Sequence, residues 1–266
     1  MNTHRQYPTD LRNAQWQLIY LLLPKPKWRV GGPGRKPCDL RFVVNGIIYL
    51  TKTGCQWRML PKEYGKWQTV YGYFNTWSKN GTLKRVMDVL NGKERGWQNR
   101  QDQPSAGCVD SQSIKTATQG KTKGFDGGKQ INGRKRHLLV DTLGLIVGVL
   151  VTAANVGDRV GLMGLLTAYF ADGVTRLRKL WVDGGYSGVE LKDWVWNLKQ
   201  THKVDLEVVE NEGKGFQVVK RRWVVERTFA WLLNYRRLSK DYEVLTRNSE
   251  AVIHVAMIHL LIRRLA

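Results

Sequence analysis

Three carboxylates sit in local contexts that suit metal-assisted chemistry. Ala106–Ser111 (AGCVDS) and Lys179–Asp183 (KLWVD) are short apolar runs, each read as a strand ending at an aspartate, Asp110 and Asp183. Glu226 lies later, inside the helical pattern Val218–Tyr235. Side chains at the ends of adjacent strands converge on one edge of a sheet, and a helix packed across that edge adds a third. Hard divalent cations such as Mg2+ or Mn2+ take oxygen ligands and keep several waters. Two such ions activate the attacking oxygen and stabilise the leaving oxygen of an in-line phosphoryl displacement. The expectation is therefore two ions per site, held by Asp110, Asp183 and Glu226, with chemistry for cutting and joining phosphodiesters. Asp158, after a strand and able to cap the next helix, is the alternative ligand, whereas Asp141 falls at a hairpin turn where Asp is common for its own reasons.

Cations surround these acids. Arg222 precedes Glu226 by four residues and projects from the same helical face, placed to grip a phosphate. Arg227 and Arg236 follow on the same basic stretch, interleaved with Trp223, Phe229 and Trp231. The segment Gln119–His137 carries five glycines and six basic residues against one acid, Asp126. Flexible backbone plus cations can follow a phosphate chain, and Arg134, Lys135 and Arg136 are its predicted DNA contacts.

The whole chain shares this bias. Lys and Arg number 43 against 22 acidic residues, a net charge of +21 over 266 residues. Residues 1–104 contribute 18 − 6 = +12 and residues 105–266 contribute 25 − 16 = +9, so both parts are expected to meet a polyanion. A small neutral substrate does not call for such an excess. The polar N-terminus resembles no secretory signal, and the apolar run Ala251–Ile262 is too short for a bilayer. No membrane partner is expected. Cys38, Cys55 and Cys108 lack a C-x-x-C pair and read as reduced cytosolic thiols.

Positioning the acids requires two kinds of architecture. Leu11–Leu22 reads as a helix stopped by Pro24 and Pro26, and a basic Gly/Pro linker spans Lys25–Pro37. A helical stripe follows at Leu40, Val43, Val44, Ile47, Ile48 and Leu50, ended by Gly54. Trp67–Trp77 and Leu83–Leu90 add two more helices, which together suit a helix-turn-helix-like DNA-binding unit. The polar stretch Gly92–Pro104 marks a boundary, dividing the chain into 1–100 and 101–266. Beyond it the pattern is α/β: strands at 106–111, 137–141, 145–152, 179–183 and 204–209, and helices at 160–170, 191–199, 218–235 and 252–264.

These motifs together resemble a known family, the DDE transposases of short bacterial insertion sequences, in the superfamily named for insertion sequences four and five. The N-terminal part is similar through WQLIYLLLP (16–24), TGCQWRMLP (53–61) and WQTVYGYFNTW (67–77). The catalytic part is similar through Val109-Asp110-Ser111, GRKRHLLVD (133–141), Asn155 to Asp158, Asp183-Gly-Gly-Tyr186 and WVVERTFAWLLNYRRL (223–238). The resemblance implies an RNase H-like mixed sheet flanked by helices, preceded by a small all-helical DNA-binding domain, with Asp110, Asp183 and Glu226 as metal ligands. The wider superfamily's Tyr-x2-Arg-x3-Glu-x6-Lys signature keeps Arg222 and Glu226, while Val219 and Leu233 stand at its Tyr and Lys positions. Only 226 − 183 − 1 = 42 residues separate the last two acids, which implies no large inserted domain. The implied partners are terminal inverted repeats and target DNA, engaged by a homo-oligomer in the bacterial cytoplasm at the nucleoid. A nuclease of the same fold and a non-catalytic, transposase-derived DNA-binding regulator are the competing readings.

Overall fold

The computed structural model describes residues 6–25, 37–117, 122–173, 175–186, 189–209 and 223–266. Its contacts group into two compact units.

The first unit takes in the described residues of 1–94, 234–238 and 251–266. It is helical: α1 (Asn13–Tyr20), α2 (Leu40–Thr53), α3 (Trp67–Lys79) and most of α4 (Thr82–Trp97), with single 3-10 turns at Trp57–Met59, Lys62–Tyr64 and Arg236–Leu238. Helix α2 begins where the Asp39 carboxylate accepts the Arg41 N–H and ends at Gly54, whose φ of 75° is the left-handed cap that glycine adopts without strain. Its stripe of Val43, Val44, Ile47, Ile48 and Leu50 is buried, as the spacing predicts.

The second unit holds the described residues of 95–233 and 239–250. Its six strands are β1 (Ala106–Lys115), β2 (Gly124–Asp126), β3 (Ile131–Asp141), β4 (Ile146–Ala153), β5 (Lys179–Asp183) and β6 (Asp205–Val209). Strand β3 pairs antiparallel with β1 along one edge and with β2 and β4 along the other. On its far side β1 pairs parallel with β5, and β5 parallel with β6. This is the RNase H-like mixed sheet. Helices α5 (Asp158–Ala171) and α6 (Val189–His202) carry Leu162, Leu165, Leu166, Leu191 and Leu198 onto Val109, Leu139, Leu180 and Val182 to make one apolar core. Helix α7 (Trp223–Leu233) packs against β1 and β3.

Three differences from the sequence reading have physical causes. Strand β1 does not stop at Asp110 but continues to Lys115, because its ladder with β3 runs unbroken to the pair Lys115–Gly133. Helix α4 runs through Lys93–Trp97, inside the polar stretch read as a linker, because Glu94 and Arg95 are buried there and ion-paired, Glu94 with Arg264 at 3.7 Å and Arg95 with Asp141. Helix α8 (Thr246–Arg264) begins six residues before the expected start, and its residues from Ala251 onward group with the first unit rather than with 101–266. Among the described residues no helix is long and apolar enough to cross a membrane.

Candidate active site

Asp110 and Asp183 lie on neighbouring parallel strands. Cys108 of β1 is in register with Trp181 of β5, and each aspartate stands two residues further along its strand. Two residues is one full pleat, so both aspartates lie on the same face of the sheet, just beyond the last registered pair. Both are half-buried. Asp110 accepts the Ser111 N–H at 2.7 Å and Asp183 accepts the Gly185 N–H at 2.9 Å, which orients one oxygen of each.

Tyr186 closes the strand end behind them, 2% exposed. Burial drives its phenol pKa upward, and the negative charges of Asp110, Asp158 and Asp183 add to that push. Three carboxylates therefore lie within electrostatic reach of one buried hydroxyl.

Asp158 opens α5 and is tied down: it accepts the Ser111 hydroxyl at 2.6 Å and pairs with the Lys135 ammonium at 3.0 Å. Burial raises its carboxyl, but the Ser111 and Lys135 contacts outweigh this and hold it below the usual range. Lys135 also lies 3.6 Å from Asp126, whose carboxyl the Ser113 hydroxyl helps hold down to about 2. A polar ladder of Ser111, Ser113, Lys135, Asp126 and Asp158 thus backs the strand that carries Asp110. Nearby His137 is fully buried, which pushes its imidazole down to about 4.

Glu226 lies in the first turn of α7 with an exposed side chain. Its helix is anchored by Val224, Val225, Phe229 and Leu232 in the core and by Thr228, whose hydroxyl donates to Gly144 O at 2.8 Å. Among the described residues, no three His, Cys, Asp or Glu side chains close into a metal-holding group. Asp110 and Asp183 share one face of adjacent strands, and both offer the oxygen ligands that hard divalent cations take.

The predicted DNA contacts divide. Arg222 lies outside the described residues. Arg236 is exposed on the 3-10 turn of the first unit. Arg227 is half-buried: its guanidinium stands over the rings of Trp223 and Trp231 at 4.3 and 4.8 Å and donates to Leu143 O at 3.0 Å.

Arg134, Lys135 and Arg136 do not form the expected phosphate-gripping surface. They are 0, 5 and 1% exposed. The reason is local: three consecutive residues of a strand alternate faces, and β3 is an interior strand covered on both sides. Arg134 donates to Thr122 O at 2.9 Å, Glu243 O at 2.6 Å, Val244 O at 2.7 Å and the Ser249 hydroxyl at 2.9 Å, and pairs with Asp241 at 3.1 Å. Burial lowers the Arg136 guanidinium to about 10, against the restoring charge of Asp241. Asp241, 2% exposed, escaped the sequence reading, since a single acid in a polar turn carries no local signal.

Residues 101–261, more than half of the chain, match the family described as "Transposase DDE domain", and residues 11–87 match that described as "Putative transposase of IS4/5 family". Over 112 residues the chain is 37% identical to the "Insertion element IS402 uncharacterized 16.2 kDa protein" of Burkholderia cepacia, an alignment covering 41% of this chain and 75% of that protein. Over 117 residues it is 32% identical to the "Putative transposase for insertion sequence element IS402" of the same organism, covering 42% of this chain and 54% of that protein.

Proposed function

Because the chain belongs to the family of transposases with a DDE domain, we propose that it cleaves insertion-element DNA at its ends and joins the freed 3′-OH to target DNA. The observation that supports this best is the shared face of Asp110 and Asp183 on adjacent strands. In this reading Asp110, Asp183 and Glu226 hold two Mg2+ or Mn2+ ions, which when bound supply Lewis-acid stabilisation to the reacting phosphoryl oxygens.

The protein's own groups have separable tasks. The N–H groups of Ser111 and Gly185 each hold one carboxylate oxygen and so orient the two aspartates. The Ser111–Asp158–Lys135 ladder keeps β1 from shifting beneath Asp110. In the first step water attacks the terminal phosphodiester, the P–O bond to the 3′ oxygen breaks, and that oxygen leaves as a 3′-OH. In the second step the same 3′-OH attacks a target phosphodiester, one bond forming as another breaks, so no external energy source is needed. Arg236, Arg222 and Arg227 lie on the segment assigned to DNA, and the helical first unit to the terminal inverted repeats. An element has two ends, so a dimer or larger assembly on DNA follows.

The test is cleavage of end-containing duplex DNA in Mg2+ by the wild type and by Asp110→Asn, Asp183→Asn and Glu226→Gln, followed by joining of a pre-cut 3′ end. Loss of both activities in all three variants is expected. Near-normal cleavage by Asp110→Asn or Glu226→Gln would sink the assignment, and hydrolysis without joining would instead favour a nuclease.

A further inference from the structure

Arg134, withdrawn from the surface, ties together two tips that face outward. Its Nε donates to Thr122 O at the foot of the β2–β3 hairpin, and its two terminal nitrogens donate to Glu243 O and Val244 O in the turn before α8. One planar guanidinium spans only a few ångströms, so the hairpin and the turn are neighbours held by a single buried fork. Each tip is braced again. Asp126 accepts the Gly128 and Lys129 N–H groups at 3.1 Å and the Ser113 hydroxyl, locking the hairpin onto β1. Asp241 accepts the Glu243 N–H and the Ser249 hydroxyl, both at 2.9 Å, locking the turn.

What these rigid tips present is apolar and positive. Phe125 is 58% exposed, Val244 65% and Leu245 41%. Lys123, Lys240 and Arg247 are exposed around them, while Asp241 and Glu243 are buried and Asp126 is turned onto β1. The exposed cations beside this apolar surface call for an anionic partner. A polyanion with an apolar interior fits it, and duplex DNA is that partner. Strand pairing also fixes the patch relative to the candidate site. Phe125 pairs with Asn132, and Asp110 with Leu138, six residues along the same strand β3 and on the same face. At about 3.4 Å per residue the separation is roughly 20 Å, close to the rise of about six base pairs.

We propose that Phe125, supported by Val244 and Leu245, is an apolar wedge that enters a base step of the bound duplex about six base pairs from the phosphate held at Asp110. Apolar side chains inserted this way unstack the step and kink the helix. The inference rests on the transposase reading for its DNA and its scissile phosphate.

The experiment uses the full chain and end-containing duplexes with 2-aminopurine placed singly at about three to nine base pairs from the cleavage point. Binding is expected to raise fluorescence severalfold at one position with wild type and with Asp110→Asn, and not with Phe125→Ala. Cleavage by Phe125→Ala is expected to fall and to recover when that position is made abasic; Phe125→Trp is expected to keep both signals. Phe125 is exposed, so its variants fold, and an unchanged melting temperature verifies this. A signal at no position, or one that survives Phe125→Ala, overturns the wedge. So does a Phe125→Ala effect confined to oligomeric state by sedimentation, which would make the patch a contact between copies. If Asp110→Asn cleaves normally while the signal follows Phe125, the catalytic assignment fails and the wedge stands.

Discussion

Asp110 and Asp183 stand on the same face of adjacent parallel strands, each two residues beyond the registered pair Cys108 and Trp181. In the proposed two-metal reading, this pair is where an added cation would bind. Mg2+ should raise the melting temperature of the wild type and leave Asp110→Asn and Asp183→Asn unmoved. If the proposed two-metal reading holds, replacing either aspartate predicts a rate loss of roughly 10²-fold or more. Thermal melts with and without Mg2+, paired with cleavage rates, check both halves.

Arg134 is expected to behave as a structural residue. Replacing it with Met removes the ion pair of buried Asp241 and the donor to three backbone carbonyls, a loss of about 3–5 kcal/mol. Lys should not rescue, since a single ammonium cannot span the Thr122, Glu243 and Val244 carbonyls as the guanidinium fork does. Urea unfolding of Arg134→Met and Arg134→Lys measures this; wild-type stability with weakened DNA binding would return Arg134 to the surface role.

Gly161 shows how closely α5 meets the sheet. A Cβ there would lie 2.0 Å from Cε1 of the His137 ring, which is fully buried against it. Gly161→Ala should cost about 1–3 kcal/mol through overpacking, despite the better helix propensity of alanine. A double-mutant cycle is the check: His137→Ala should remove most of that cost, giving a favourable coupling between the two changes.

The dependence of stability on pH should carry a term of unusual sign. Glu250 accepts the Val151 N–H at 2.9 Å, and burial raises its carboxyl to about 7 from 4.5. Between pH 4.5 and 7 the folded state keeps a proton that the unfolded state has released. Its contribution is therefore full below pH 4.5 and declines as pH rises through 7, by up to about 3 kcal/mol. His137 acts oppositely: its pKa falls to about 4, so its contribution is full above pH 6.5 and is lost on acidification towards 4. Denaturant titrations of wild type and Glu250→Gln from pH 4 to 8 separate the two. The variant should gain on wild type steadily up to pH 7, and parallel curves would refute the assignment.

Much of this arrangement could be read from local pattern. The apolar runs before Asp110 and Asp183, the 3.6-residue stripe of α2 and its Gly54 stop, and the helix around Glu226 all follow from side-chain periodicity and capping, which act within a few residues. The family membership is legible for the same reason, since its motifs are short and contiguous.

Tertiary structure decided what depends on pairing across distance. Whether β1 ended at Asp110 or ran on to Lys115 was settled by its ladder with β3. Whether Arg134, Lys135 and Arg136 faced DNA or the interior was settled by the elements covering β3, which made Arg134 a strut to Asp241, 107 residues away. The polar stretch around Glu94 and Arg95 became helix because Arg264 and Asp141, remote in sequence, met its charges there. A buried charge is stable only with its partner, and that partner is chosen by the folded chain. Sequence thus determined which residues are candidates for the chemistry, and the fold decided which of the predicted cations are buried and which exposed.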